Sequence, residues 1–188
     1  MAVVKLFLFV LLFISLNVLF ANAFKWKDCG RKDATVFLEN IDVNPKPMAV
    51  QSKYPMYVSI GITTKQVMDN NVTVSLKLSR HIYVLWNKIE IPVPCVGKFG
   101  SCEHNFCDFV QKMKDVFCPV LQSLGKECSC PIEPDNFTVN NIPVKVTHKI
   151  PPIIAAIGSG TYGIRGTLRD GSGKELGCWD VEADVKMN

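Results

Sequence analysis

The sequence predicts an all-β domain, an antiparallel sandwich or cup with one short helix, and three observations support this prediction. Apolar and polar residues alternate with a period of two in several segments, a pattern typical of strands with one wet face. Turn-forming residues separate these segments. Helical spacing of apolar residues occurs in one segment, inside a cluster of cysteines. Short strands joined by turns favour an antiparallel over a parallel arrangement.

The N-terminal half contains three predicted strands. The first covers residues 36–43. The next two cover 56–63 and 72–79, where Val, Ile, Leu and Met alternate with Thr, Ser and Lys. Between them, Met68-Asp69-Asn70-Asn71 has the composition of a turn. Each of these segments is expected to bury one face.

The C-terminal half contains three more predicted strands. Residues 137–146 form the first, and residues 162–168 and 179–186 alternate strictly. Asp170-Gly171-Ser172-Gly173 turns the chain between the last two. This arrangement predicts a C-terminal β-hairpin.

The predicted helix runs from about Asn105 to Phe117. Its apolar residues fall on one face and its charged residues on the other. Cys107 and Cys118 lie near its two ends, and Pro119 follows immediately, which predicts that the helix stops there.

Two apolar stretches do not have the pattern of an ordinary core strand. Residues 82–86 are continuously apolar, which fits either a fully buried strand or an apolar contact surface. In residues 150–160, Ile and Ala are mixed with Pro and Gly. A buried connection is less favoured there, since two prolines cannot join a sheet ladder. We expect an apolar loop that contacts a membrane or a partner.

The N-terminus has the features of a cleavable signal peptide. Lys5 precedes an apolar run over 6–20, and Ala21-Asn22-Ala23 is a small-x-small cleavage pattern. The run is shorter than the roughly 20 residues of a spanning helix. We therefore expect a signal peptide at 1–23 and a single domain at 24–188. Two glycosylation sequons, at Asn71 and Asn136, fit the secretory pathway.

The charge of the chain does not favour nucleic acid as a partner. The formal net charge is +4, and it falls to +3 without Lys5. Acidic and basic residues are mixed along the chain, which is typical of a solvated surface.

Eight cysteines indicate an oxidised, cross-linked protein. Six lie between Cys95 and Cys130, while Cys29 and Cys178 lie near the two ends. Eight cysteines allow 105 pairings, and their spacing does not choose among them. A domain of this size does not need four bridges to fold. They could compensate for a hollow, ligand-binding interior or protect the chain from proteases.

Signatures of catalytic and metal sites are missing from the sequence. The two Gly-Ser-Gly segments lack the spacing of a nucleophile elbow, and no H-E-x-x-H occurs. His104 lies near Cys102 and Cys107, but in an oxidising compartment those thiols are expected to be paired rather than to bind zinc. We expect no catalytic residues, no metal and no cofactor.

Several motifs resemble the ganglioside activator family, within the ML lipid-recognition superfamily. The similarity covers essentially the whole chain after the leader, and all eight cysteines have counterparts. The motifs are Val84-Leu85-Trp86-x-Lys88-Ile89, Gly100-Ser101-Cys102, Phe106-Cys107-Asp108, Cys128-x-Cys130-Pro131 and Ser172-Gly173-Lys174-x-Leu176-Gly177-Cys178.

The resemblance implies a β-cup with an apolar cavity, a set of disulfides and a lipid-contacting rim. The implied pairs are Cys29 with Cys178, Cys95 with Cys102, Cys107 with Cys130, and Cys118 with Cys128. The implied lipid or membrane contacts are Ile82, Tyr83, Val84, Leu85, Trp86, Ile150, Ile153, Ile154 and Ile157.

The function that the resemblance implies is non-catalytic. A secreted or lysosomal protein of this kind extracts a glycosphingolipid from a membrane and presents it to a glycosidase such as a hexosaminidase. The alternative is a secreted carrier or recognition protein for another hydrophobic ligand, such as a sterol, fatty acid, phospholipid or pheromone. The chain departs from the family in its second apolar loop, where Ile and Ala replace the family's tryptophan.

Overall fold

A computed structural model describes residues 24–50, 52–85, 87–97, 99–147 and 149–187. The predicted signal peptide, residues 1–23, lies outside these ranges, and so does Trp86. Within the described ranges, every helix is too short or too polar to cross a bilayer.

The larger sheet has seven strands in the described chain, and these include both the first and the last strand. Five strands follow one another across this sheet, in the order β1 (Phe24–Asp28), β10 (Glu175–Met187), β9 (Gly160–Arg169), β5 (Thr73–Val84) and β6 (Asn87–Pro92). Two short strands pair at its edges, β3 (Met48–Val50) with β10 and β7 (Glu103–Asn105) with β5. The pairing of β3 with β10 is parallel, and the other pairings of this sheet are antiparallel.

The second sheet is smaller, with three strands among the described residues. Its order is β2 (Val36–Asn44), β4 (Met56–Thr64) and β8 (Asp135–Val144), all antiparallel. Strands β4 and β5 follow one another in sequence but belong to different sheets. The predicted turn at 68–71 therefore carries the chain from one sheet to the other. The predicted all-β, antiparallel architecture is confirmed.

The two sheets enclose an apolar core because the longer strands have one apolar face. Val74 on β5 and Leu168 on β9 are partners in the ladder, and both are buried. They pack with Val36 from the second sheet, and Leu76 and Trp179 border the same cluster. The period-two alternation thus predicts correctly which face of β5 is buried.

The predicted C-terminal hairpin is confirmed. β9 and β10 pair over ten register positions with one irregularity, between Glu175 and Gly177. The Asp170 carboxylate accepts hydrogen bonds from the backbone amides of Ser172 and Lys174 at 2.9 and 3.0 Å. Such side-chain to backbone bonds are why Asp is common in turns.

The prediction of one short helix that stops at Pro119 is wrong. Three helices are described: α1 (Phe106–Lys112), α2 (Lys114–Ser123) and α3 (Pro152–Ala155). Asn105 caps α1 by accepting from the amides of Cys107 and Asp108. The chain breaks at Met113, and α2 then continues through Pro119. Proline disfavours a helix interior, but here burial of Leu121 and the disulfide at Cys118 hold the turn beyond it.

Four disulfides join the eight cysteines, and they are the pairs that the resemblance implies. Cys29 and Cys178, separated by 149 residues, join the end of β1 to β10. Cys107–Cys130 and Cys118–Cys128 attach α1 and α2 to the segment before β8. Cys95–Cys102 closes a loop with a separation of 7 residues after β6.

We predict that the terminal disulfide contributes more to stability than the short one. The chain-entropy model gives about 5 kcal/mol for the loop between Cys29 and Cys178 and about 2.5 kcal/mol for that between Cys95 and Cys102. Replacing each pair by alanine and measuring urea unfolding should show this difference. Equal losses from the two double variants would contradict it.

We also predict that Gly166 cannot carry a side chain without cost. A Cβ at Gly166 would lie 2.6 Å from Nε1 of Trp179, whose indole covers this glycine. Gly166→Ala should lower the free energy of unfolding by about 1–3 kcal/mol, as over-packing of a core does. Gly171→Ala is the matched control, since its nearest neighbouring atom would be 3.8 Å away. Urea unfolding of both variants tests this, and equal stability would refute it.

Candidate functional site

The β5–β6 hairpin exposes an apolar face. Ile82 lies opposite Ile89 in the register, and Arg80 lies opposite Ile91. The side chains of Ile82, Val84, Ile89 and Ile91 share one face, because they alternate with His81, Tyr83, Lys88 and Glu90. All four are exposed although this face continues the core face of the sheet. The three-stranded second sheet packs on other strands and leaves this end of β5 and β6 uncovered.

Leu85, at the tip of this hairpin, combines exposure with an unusual backbone conformation. Its side chain is 85% exposed. Its φ is 45°, in the left-handed region that a leucine adopts at a cost. Residues held in such conformations are concentrated at functional sites. The alternative that residues 82–85 form a fully buried strand is therefore wrong, and Trp86 lies outside the described residues.

The second apolar stretch is divided between core and surface. It contains the short helix α3 rather than only a loop, with Pro152 at the start, where the missing amide is not needed. Ile150 and Ile154 are 9% and 5% exposed, and they pack with Val93 and Tyr162. Ile153 is 60% exposed.

Ile157 borders the same buried cluster as a partly exposed residue. Of the four isoleucines in this stretch, Ile153 therefore presents the largest apolar surface to solvent.

Arg80 attaches the second stretch to the hairpin strand. Its guanidinium donates to the backbone carbonyl of Ile157 and, at 2.9 Å, to that of Ser159. The Tyr162 hydroxyl donates to the carbonyl of Gly158. The segment enters β9 at the end of the sheet where β5 finishes. Two apolar elements, at Leu85 and at Ile153, are thus held at one end of the molecule.

Both predicted glycosylation sites lie on the surface. Asn71 and Asn136 are exposed. In the second sequon, the Thr138 hydroxyl donates to the Asn136 side-chain oxygen at 2.9 Å. Glycosylation at either asparagine stays a prediction.

A groove of about 990 Å³ crosses the outer face of the large sheet, opposite the core. Its floor is formed by the backbones of four residues that pair with one another across neighbouring strands. In order from β5 to β1 they are Leu78, Ile164, Val181 and Trp26. Its walls are polar and include Lys25, Lys27, Lys77, Ser79, His81, Lys88, Glu90, Arg165, Asp180 and Glu182. This groove is distinct from the predicted apolar cavity between the sheets, which stays a prediction.

His81 lies against the sheet inside this polar groove, with its side chain 4% exposed. A Cβ at Gly163 would come within 2.5 Å of its Nε2, so only a glycine leaves room for the imidazole. Nε2 lies 3.1 Å from Ser79 Oγ. Nδ1 lies 2.9 Å from Glu182 Oε2, although the two atoms do not form a hydrogen bond.

This cluster resembles the serine, histidine and carboxylate of a hydrolase only in part. Acyl transfer also needs N–H donors directed at the developing oxyanion. The amides of β5, β9 and β10 below the cluster already pair across the sheet. The geometry holds the imidazole in place and gives no support for catalysis.

Sequence reasoning missed two parts of this region. Strand β6 has a weak signal, because Ile89 and Ile91 alternate with Lys88 and Glu90. The polar groove has no sequence signal, since its walls come from five strands whose register a single sequence does not reveal.

Comparison with known proteins identifies the family. None of the curated proteins compared with the chain is significantly similar to it in sequence. A crystal structure of a Niemann-Pick type C2 protein from Japanese carpenter ant is similar at 14% identity and a TM-score of 0.40, covering 86% of this chain and 99% of that one. The family model described as ML domain matches residues 23–185. The chain, with its two-sheet fold and four disulfides, therefore belongs to the ML domain family.

Proposed function

We propose that this ML protein extracts a glycosphingolipid from a membrane and presents it to a glycosidase without itself catalysing a reaction. Membership of the ML family supports lipid binding in general. The finer proposal comes from the sequence resemblance to the ganglioside activator family. Its main structural support is the apolar end of the molecule, where Leu85 is exposed at the tip of the β5–β6 hairpin.

The apolar end is suited to shallow contact with a bilayer. Leu85 and Ile153 project from two separate segments, and each could transfer an aliphatic side chain into the interface, worth about 1.5–3 kcal/mol if fully buried. The hairpin backbone must stay near the headgroups, because unpaired amides in hydrocarbon are costly. Contact of this kind is reversible, as a carrier requires.

The apolar face of the hairpin gives the lipid a route towards the protein interior. Ile82, Ile89 and Ile91 continue the face of the sheet that carries buried Tyr162. A lipid chain that lies along them would cover apolar surface that is exposed in the described structure. Its polar headgroup would stay outside, where a soluble glycosidase such as a hexosaminidase could reach it.

The disulfides also support a place in the secretory pathway, either in lysosomes or outside the cell. Bridges of this kind persist in oxidising compartments. The predicted signal peptide at 1–23 agrees with this location.

Native mass spectrometry of the protein purified from its own tissue tests the proposed ligand. We expect a bound species with the mass of a glycosphingolipid. A sterol, fatty acid or phospholipid would instead favour the alternative carrier function. Protein that is always empty and does not take up added lipid would refute both.

We predict that Leu85→Ser weakens binding to phosphatidylcholine vesicles by about tenfold, because it removes an interfacial aliphatic group worth about 1.4 kcal/mol or more. Ile153→Ser should have a similar effect. Val67→Ser is the matched control, because Val67 is also exposed, at 42%, but precedes β5 at the other end of that strand. Vesicle flotation measures the three affinities. If Val67→Ser weakens binding as much as Leu85→Ser, the apolar end is not the contact.

A further inference from the structure

The polar groove on the outer face carries an excess of positive charge. Five basic side chains and three acidic ones line it, so its formal charge is +2 with His81 neutral. The formal charge of the complete sequence is +4. The groove is thus positively charged on balance, like the chain as a whole.

The three carboxylates of the groove already have cationic partners. Glu90 and Glu182 accept from Lys88 at 2.9 and 3.4 Å, and Lys25 lies 3.8 Å from Glu182. Asp180 binds Arg165, and Lys27 lies 3.3 Å away. Arg165 holds the pKa of the Asp180 carboxyl below its ordinary value, and Lys27 acts in the same direction. Four basic side chains thus surround three carboxylates, which leaves one positive charge in excess.

Lys77 supplies a second positive charge in excess, and Arg165 is its neighbour across the sheet. They are direct partners in the β5–β9 register and point to the same face, an arrangement of like charges that is unfavourable by itself. Arg165 uses Nε and Nη2 to bind the two oxygens of Asp180, at 2.6 and 2.9 Å. Its Nη1 has no such bond, and Lys77 has no ion pair among the residues that the structure describes.

We propose that Lys77 and Arg165 bind the phosphate group of a phosphate monoester in this groove. A phosphate monoester carries a charge of about −1.5 to −2 at neutral pH, which matches the excess. Arg and Lys are the side chains that recognise phosphate, Arg through its planar N–H donors and Lys as a point charge. Asp180 fixes the Arg165 guanidinium, so a ligand does not have to order it.

This site is independent of the proposed lipid carriage, because it lies on the opposite face of the sheet from the apolar face of the hairpin. Its ligand could be a soluble phosphate monoester or the phosphate of a lipid headgroup. Both sources present the same chemistry to Lys77 and Arg165.

Isothermal titration calorimetry with glycerol 3-phosphate tests the proposal, with glycerol as the uncharged comparison. Lys77→Gln should weaken phosphate binding by about tenfold, the usual effect of losing one charge-assisted contact. Arg165→Gln should weaken it as well. Lys53→Gln is the control, since Lys53 is exposed outside the groove and has no ion pair among the described residues. It should leave the affinity unchanged.

A second measurement distinguishes the two sources of the phosphate. Binding to phosphatidylcholine vesicles with and without phosphatidic acid is compared for the original protein and Lys77→Gln. If phosphatidic acid no longer strengthens the binding of Lys77→Gln to vesicles, the ligand is a lipid headgroup. If Lys77→Gln loses only its affinity for glycerol 3-phosphate, the ligand is a soluble phosphate monoester.

Two results would overturn the proposal. One is the absence of glycerol 3-phosphate binding by the original protein. The other is an equal effect of Lys77→Gln and Lys53→Gln, which would indicate general screening. Leu85→Ser should bind glycerol 3-phosphate with unchanged affinity, whichever source the phosphate has. A failure of the lipid proposal and a failure of the phosphate proposal therefore give different results.

Discussion

The register that pairs β5, β9 and β10 is the constraint on which both faces of the large sheet depend, the apolar core face and the polar outer face. Opposed residues share a face, so one set of pairings places Val74 with Leu168 towards the core and Lys77 with Arg165 towards solvent. A shift of one residue would exchange the two faces. Gly163 and Gly166 belong to the same register, and each makes room for a ring, His81 outside and Trp179 inside.

The unequal size of the two sheets explains why apolar residues remain exposed. The second sheet has three strands in the described chain, and it covers the part of the large sheet that carries Val74 and Leu168. The end of β5 and the whole of β6 extend beyond this cover. The exposed isoleucines thus continue a core face that the described residues leave uncovered, and this is where we propose that the lipid lies.

The disulfides and Arg80 fix several segments of the chain that core packing alone does not hold in place. Cys29–Cys178 fixes the N-terminal strand beside β10. Two other bridges attach the helices to the segment before β8, and Arg80 fixes the segment before β9 by its backbone carbonyls. An apolar surface open to a ligand loses packing energy, and covalent and charge-assisted contacts of this kind offset part of that loss.

The sequence alone determined the class of fold, the buried face of β5 and the C-terminal hairpin, because period-two alternation and turn residues are local signals. The pairing of the cysteines came from resemblance rather than from spacing. The tertiary structure decided what local patterns do not encode. It continued α2 through Pro119, divided the isoleucines at 150–157 between core and surface, and brought Lys77 opposite Arg165. Each of these depends on contacts between residues that are distant in the chain, so neither propensity nor periodicity could have supplied it.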